Sequence, residues 1–315
     1  NMVHDTLSGL GWLWSCSFMQ VGVACLLCAF IFTPMMGVNP LFGSLFEIGF
    51  AGGHGTAGGM SGLFQDPAAL NWTDGADLGM TTATIGLLLG IFGGMILINY
   101  GVRKKYTKVL TEPAKTGTTQ EVFPEGQRQA GSYMTVSQDV VEPFAFHLGI
   151  IGIAILIGRA IVWGFGVIFG YTGLPLFPFA MIGGMLINAI VMRTPLRDLF
   201  DRGIFQRIQG MALEVLIVAA TASISIPVVL AYWAPLLIGT VVIMVFMLVW
   251  FFWISPHIFS ECWFEQAIIR YGAYTGVAAV GYMLLRTCDP KMETDAGTIY
   301  ALDGPFSSPF IGGGL

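Results

Sequence analysis

Charge is scarce in this chain. Asp, Glu, Lys and Arg make up 10% of the 315 residues against 55% hydrophobic residues, and mean hydropathy is +0.74. That balance excludes an ordinary soluble domain and describes an integral membrane protein. A formal net charge of -5 is small for this length and says little about partners. No basic patch with interleaved aromatics is present, so nucleic acid is not an expected partner. Cysteine is sparse too: Cys16, Cys25, Cys28, Cys262 and Cys288 form an odd set in or beside apolar runs. Cys25-Leu-Leu-Cys28 has C-x-x-C spacing but neither a second pair nor a His at ligand spacing, so it reads as small membrane-core residues. Also missing are a phosphate loop, a Ser/His/Asp or Cys/His constellation, and an acid–base pair at a common depth. An enzyme is not expected. No signal peptide is visible, and a chain that opens on Asn1 is expected to be a fragment.

What the chain does have is glycine in an unusual place. Phe46–Phe64 packs Gly49, Gly52, Gly53, Gly55, Gly58, Gly59 and Gly62 into one interval, with Glu47, His54, Thr56 and Ser61 among them. Broken backbone at membrane depth is tolerated only inside protein or along a wet cavity. Transporters use such breaks to aim backbone N–H and C=O groups at substrate and coupling ions.

A span needs about 20 mostly apolar residues. Six stretches qualify: Leu10–Phe32, Leu78–Tyr100, Ala145–Phe169, Leu174–Met192, Met211–Trp233 and Ala234–Ile254, the last two parted by a turn at Trp233-Ala-Pro235. Ala267–Leu285 is apolar but interrupted by Arg270, Gly272, Thr275, Gly276 and Gly281, and the final run from Pro305 is too short to cross. Pro195–Gln209 places Leu196, Leu199, Phe200, Ile204 and Ile208 near helical spacing, as an interfacial helix would.

Lys and Arg mark the cytoplasmic side. Arg103, Lys104, Lys105, Lys108, Lys115 and Arg128 fall in loop 101–144; Arg193, Arg197, Arg202 and Arg207 fall two helices later. On that count the Gly-rich stretch starts and ends outside, while Ala267–Leu285 starts and ends inside. The two also align: Gly49-Phe-Ala-Gly-Gly53 with Gly272-Ala-Tyr-Thr-Gly276, and Gly58-Gly-Met60 with Gly281-Tyr-Met283. The expected fold is therefore an all-α integral membrane protein of inverted-repeat type, with two re-entrant loops from opposite faces. Residues 1–100 end the first repeat, 101–144 form a polar, turn-rich cytoplasmic linker, and 145–315 form the second repeat, with four helices, a re-entrant segment 263–286 and the start of a last helix. By symmetry about three helices are expected to be missing before residue 1, and the last to be cut short.

The candidate site follows from the breaks. A Gly-interrupted helix leaves N–H and C=O groups without intrahelical partners; its N-terminal ends attract carboxylates, and freed carbonyls with hydroxyls suit Na⁺. Gly52, Gly53, His54, Gly55 and Thr56 supply this in the first half, Thr275 and Gly276 in the second. Small-residue helix packing is the plainer explanation for an isolated Gly pair, but not for a cluster this dense with a His inside. His54 has three roles open: contact with substrate, holding a proton, or bracing the loop. Thr84 either offers a hydroxyl to an ion or satisfies backbone. Glu47 reads as a boundary residue, with a deeper paired position as the alternative. Arg159 sits mid-span in Ala145–Phe169, the charge hardest to explain by snorkelling, and is expected to pair with an acid or to face a carboxylate substrate. Arg270 and Glu265 read as snorkelling. Thr221, Ser223, Ser225 before Pro227, and Asn188, are weaker candidates for a cavity lining.

Gly52-Gly-His-Gly-Thr-Ala57, followed by Thr82-Ala-Thr-Ile-Gly-Leu-Leu-Leu-Gly90, resembles the bacterial sodium/glutamate symporter family, as does Phe264-Glu-Gln-Ala267 leading into Gly272–Gly281. The likeness is strongest over 40–105 and looser over 145–290. It implies ten helices in two inverted five-helix repeats, each with a re-entrant loop, in a bacterial cytoplasmic membrane. It also implies Na⁺ as the coupling ion without an organic cofactor, glutamate as substrate, and a homodimer in the bilayer. By position, Gly52–Thr56 takes the first re-entrant role and Thr275-Gly276 the second. The second motif departs from the family form, which has more Gly and a following Thr-Pro-Thr, so a branch moving another carboxylate is a further expectation. The rivals are a channel, whose filter also uses re-entrant loops, and a non-transporting membrane subunit whose Gly clusters only pack helices. Opposed loops favour the transporter.

Overall fold

The structure, a computed structural model, describes residues 2–110, 130–137, 139–170, 174–290 and 292–307. Residues 111–129 of the expected linker and the run 308–315 lie outside them, as do the side chains of Thr221 and Ser223. Every regular element among the described residues is helical. In long apolar runs away from water a helix satisfies the backbone N–H and C=O groups within the segment itself.

α1 (Met2–Leu27) passes through a π-helical turn, Cys28–Phe32, into α2 (Thr33–Met36). Pro34 lacks an N–H and pushes on the preceding turn, and the widened turn absorbs both defects. After a short 3₁₀ turn come α3 (Ser44–Phe50), α4 (Gly53–Gln65) and α5 (Asp74–Lys104). At 1.5 Å per residue α5 is roughly 46 Å long, enough to cross a bilayer with turns to spare. Next come α6 (Pro143–Phe169), α7 (Leu176–Val191), α8 (Arg202–Ser223) and α9 (Ile226–Ala231). α10 (Trp233–Val249) continues through a second π turn, Trp250–Ile254, into α11 (Ser255–Ile258), which carries Pro256. α12 (Trp263–Cys288) and α13 (Ala296–Ser307) complete the series.

Among the described residues five stretches are long and apolar enough to cross a membrane: Val3–Met36, Asp74–Lys104, Pro143–Phe169, Trp233–Ile258 and Trp263–Cys288. Three expectations need correcting. Met211–Trp233 is not one span: α8 ends at Ser223 and α9 starts at Ile226, because Pro227 cannot continue a helix and clashes with the carbonyl four residues back. The following turn sits at Tyr232, with Trp233 and Pro235 already in α10. Leu174–Met192 becomes a helix of 16 residues, short of a full crossing. Pro195–Gln209 is broken at Phe200–Asp201 between a 3₁₀ turn and α8, so it forms no continuous interfacial helix.

The chain divides into two compact units. One comprises Asn1–Pro113 and Ala220–Leu315, the other Ala114–Ala219. The first holds the main core, where Trp12, Phe42, Phe46, Phe50, Phe251 and Phe264 are fully buried. In the second, α6 and α7 pack backbone to backbone: a Cβ at Gly158 would run into the backbone of Ala180, and one at Gly183 into the carbonyl of Ala154. Buried His147 fastens this unit. Its Nε2 accepts the Asp201 N–H (2.9 Å), so its Nδ1 donates to the Pro143 carbonyl (2.6 Å).

Candidate functional site

Two helical hairpins lie along α5, one on each half. α3 runs with α5: Thr82 donates to the Leu45 carbonyl (3.0 Å), a Cβ on Gly49 would overlap the Thr82 side chain, and Phe50 lies against Gly86. α4 runs back: His54 meets Thr84, Ala57 lies at Gly79, and Phe64 reaches Gly75. The turn between these arms is Ala51–Gly52, and Gly53, with φ +65, lets the chain reverse.

α12 contains the second hairpin. Gly276 (φ -141, ψ 31) and Val277 (φ 68, ψ 163) are non-helical. In a straight helix Gly272 and Gly281 would be about 13.5 Å apart along the axis; here a Cβ on Gly272 would lie 2.7 Å from the Gly281 Cα. The segment therefore doubles back. Its outgoing arm descends α5 from Phe264 at Gly101, through Tyr271 at Gly93, to Thr275 at Gly86 and Gly90. The return arm climbs from Val280 at Gly90 to Leu284 at Gly94. Only glycine fits on α5 here, since a Cβ at Gly90 would sit 2.9 Å from Thr275 Oγ1 and 3.3 Å from the Gly276 nitrogen.

The hairpins thus approach from opposite ends of α5, and their tips meet near its middle. A Cβ on Gly53 would collide with Cγ1 of Val277. At this junction two outgoing arms end and two return arms begin. α4 starts at Gly53 with no side-chain cap, and the return arm of α12 starts just past Val277. Helix N-termini carry partial positive charge and unpaired N–H groups, while ending arms leave carbonyls. One small region therefore offers donors for a carboxylate and acceptors for a cation.

The structure gathers most of the candidate residues here. His54 is buried, with Nε2 3.0 Å from Thr84 Oγ1. Thr84 gives its only hydroxyl proton to the Met80 carbonyl (3.0 Å), so His54 Nε2 is the donor and Nδ1 is left as an acceptor. Thr56 and Thr275 are buried, and Thr275 Oγ1 donates to the Tyr271 carbonyl (2.7 Å). Gly52 is half-buried, Gly53 and Gly276 are buried, and Gly55, Ala278 and Ala279 are exposed, so the junction has an open side. Arg159 belongs to the unit 114–219, where it is exposed on α6 beside Trp163 and Leu176.

A buried polar layer behind the tips was not read from the sequence. Gln20, fully buried on α1, donates Nε2 to the Tyr274 carbonyl (2.9 Å), one of the carbonyls freed by the break, and its Oε1 has no partner among the described residues. Ser17 donates to Glu47 Oε1 (2.8 Å). Glu47 is therefore not a boundary residue but a buried, paired one, at 4% exposure. Nor do Arg270 and Glu265 snorkel. Arg270 is fully buried, pairs with Asp303 of α13 and bonds Gln266; Glu265 is fully buried and accepts the Lys108 N–H (2.6 Å). Glu47, Arg270 and Glu265 were visible in the sequence as charges near apolar runs, and Gln20 as a lone Gln inside an apolar helix, but not their partners.

The family model described as sodium/glutamate symporter matches residues 14–276, a range that holds the first hairpin and the outgoing arm of the second up to Gly276. Comparison with curated proteins and with solved structures gives no significant match.

Proposed function

Because the chain belongs to the sodium/glutamate symporter family, we propose that it is a secondary active transporter that moves glutamate, or a related carboxylate, with Na⁺ by alternating access. It is a multi-pass membrane protein; the bacterial cytoplasmic membrane is the proposed location. The observation that carries the reading is the meeting of the hairpin tips at Gly53 and Val277 halfway along α5.

With α5 across the bilayer, its Lys/Arg-rich end (Arg103, Lys104) lies on the cytoplasmic side. The α12 hairpin then enters from the cytoplasm and the α3–α4 hairpin from outside, as re-entrant loops of an inverted repeat. Local structure supports the repeat: a π turn leads into Thr33-Pro34 ahead of the first hairpin, and another leads into Ser255-Pro256 ahead of the second. In this reading 1–100 and 145–315 hold the two halves and 101–144 joins them.

The carboxylates of the substrate are taken by the N–H groups opening α4 at Gly53, His54 and Gly55, and by those opening the return arm of α12. Na⁺ takes carbonyl and hydroxyl oxygens near Thr275-Gly276, with Thr56 and Thr84 as further hydroxyl donors to the ion shell. One hairpin moving against the rest exposes this shared region to each side in turn, and the Na⁺ gradient supplies the work. Uptake of labelled glutamate into proteoliposomes, with and without an inward Na⁺ gradient, tests this. Accumulation that needs the gradient and collapses with it is expected. Conductance without coupled accumulation would replace the transporter with a channel.

A further inference from the structure

A second cavity, remote in sequence from the hairpins, lies wholly within the unit 114–219. α6 and α7 touch at Gly158 and Gly183, and next to this contact lies a cavity of about 560 Å³ lined by Ile150, Ile151, Ile187, Val191, Phe200 and Phe205. That volume falls within the roughly 300–1,000 Å³ of small-molecule sites. Its exposed lining residues are different: Arg197, Arg202 and Asn188. Arg202 has no hydrogen bond or ion pair among the described residues, and Arg197 has only an exposed contact with Asp198 at 3.3 Å, which holds it weakly. Residues 193–207 carry four Arg against two Asp. An apolar slot with a guanidinium rim suits an amphiphile with an anionic head, because guanidinium forms paired hydrogen bonds to phosphate oxygens.

We infer that this cavity is a binding site for an anionic phospholipid of the cytoplasmic leaflet, its acyl chain between α6 and α7 and its phosphate at Arg197 and Arg202. The location agrees with the cytoplasmic side marked by the arginines, where basic pockets between membrane helices hold lipid head groups. A free phosphate would use the rim and leave the apolar slot empty; a zwitterionic lipid would fill the slot and gain little from the rim.

The test is binding of phosphatidylglycerol, phosphatidylcholine of the same chains, and inorganic phosphate to the purified protein, by thermal shift and by native mass spectrometry. Phosphatidylglycerol alone is expected to raise the melting temperature and to remain bound. Each arginine near an anionic head group is worth about fivefold in affinity, so Arg197→Gln with Arg202→Gln should weaken phosphatidylglycerol on the order of 25-fold. Gly184→Leu has room for its Cβ, the nearest atom being the Ala154 Cβ at 4.0 Å. It should displace the acyl chain while leaving both arginines in place, which keeps the test open if the double variant folds poorly. Equal binding of the two lipids, an equal shift from phosphate, or undiminished phosphatidylglycerol binding in both variants would overturn the site. So would a dimer that covers the slot and excludes lipid.

Discussion

Gly53 and Val277 sit tip to tip with left-handed backbone on both sides, φ +65 and φ 68. For Gly53 this costs nothing; a side chain there would be strained and would also strike Val277. Val277 (ψ 163) lies in a region that is nearly glycine-only and costs on the order of 1–3 kcal/mol. Gly53→Ala should therefore lower the melting temperature and reduce Na⁺-driven uptake about five- to thirtyfold, since about 1–2 kcal/mol of backbone strain falls on the site itself. Val277→Gly should raise the melting temperature by relieving its own strain, and should restore part of the uptake lost in Gly53→Ala by removing the collision. A double variant no better than Gly53→Ala alone would contradict the contact.

The bond between His54 and Thr84 separates substrate contact from bracing. A neutral hydrogen bond contributes about 1 kcal/mol, or about fivefold in a rate or affinity. At saturating Na⁺, where the proposed ion contact of Thr84 is least limiting, Thr84→Val should cost uptake about that much if the bond only orients the ring. His54→Ala should abolish Na⁺-stimulated uptake with membrane insertion unchanged, because it also removes the Nδ1 acceptor. Equal losses in the two variants would reduce His54 to a brace.

The Arg270–Asp303 pair ties the outgoing arm of α12 to α13 with both side chains fully buried. Asp303→Leu leaves a guanidinium without its carboxylate and should cost about 3–5 kcal/mol. Arg270→Met combined with Asp303→Leu should recover most of it, as read by thermal unfolding. A single variant as stable as the native chain would show the pair to be dispensable.

The sequence exposed the hairpins because glycine leaves a local mark: Gly49–Gly62 and Gly272–Gly281 interrupt apolar runs, and their offset placement already suggested opposite approach. The six expected spans erred where proline acts at a distance of a few residues, as at Pro227, or where a run is apolar but short, as at Leu176–Val191. In the sequence Gly86 and Gly90 figure only as part of the Thr82–Gly90 motif; in three dimensions they and Gly94 become the track on which the second hairpin rides. The buried polar layer was least legible. Ser17 finds Glu47, Gln20 finds Tyr274, and Arg270 finds Asp303 across separations of 30, 254 and 33 residues, and no spacing rule links such pairs. Without partners in view, Glu47 and Arg270 resemble residues at a membrane edge, where a charge is cheapest.

The central claim, that substrate and Na⁺ bind between the tips, is most directly tested at Gly55. It is exposed beside the junction with no atom within 4 Å of an added Cβ, so Gly55→Cys should be accommodated. Cys16, Cys28 and Cys288 are buried, so Cys25→Ser and Cys262→Ser complete the background. The measurement is the rate of maleimide labelling of the thiol introduced by Gly55→Cys with neither ligand, with Na⁺ alone, and with Na⁺ plus glutamate. Labelling slowed at least about tenfold only when both are present is the predicted result. A rate indifferent to both ligands, in a variant that still transports, would place the site elsewhere.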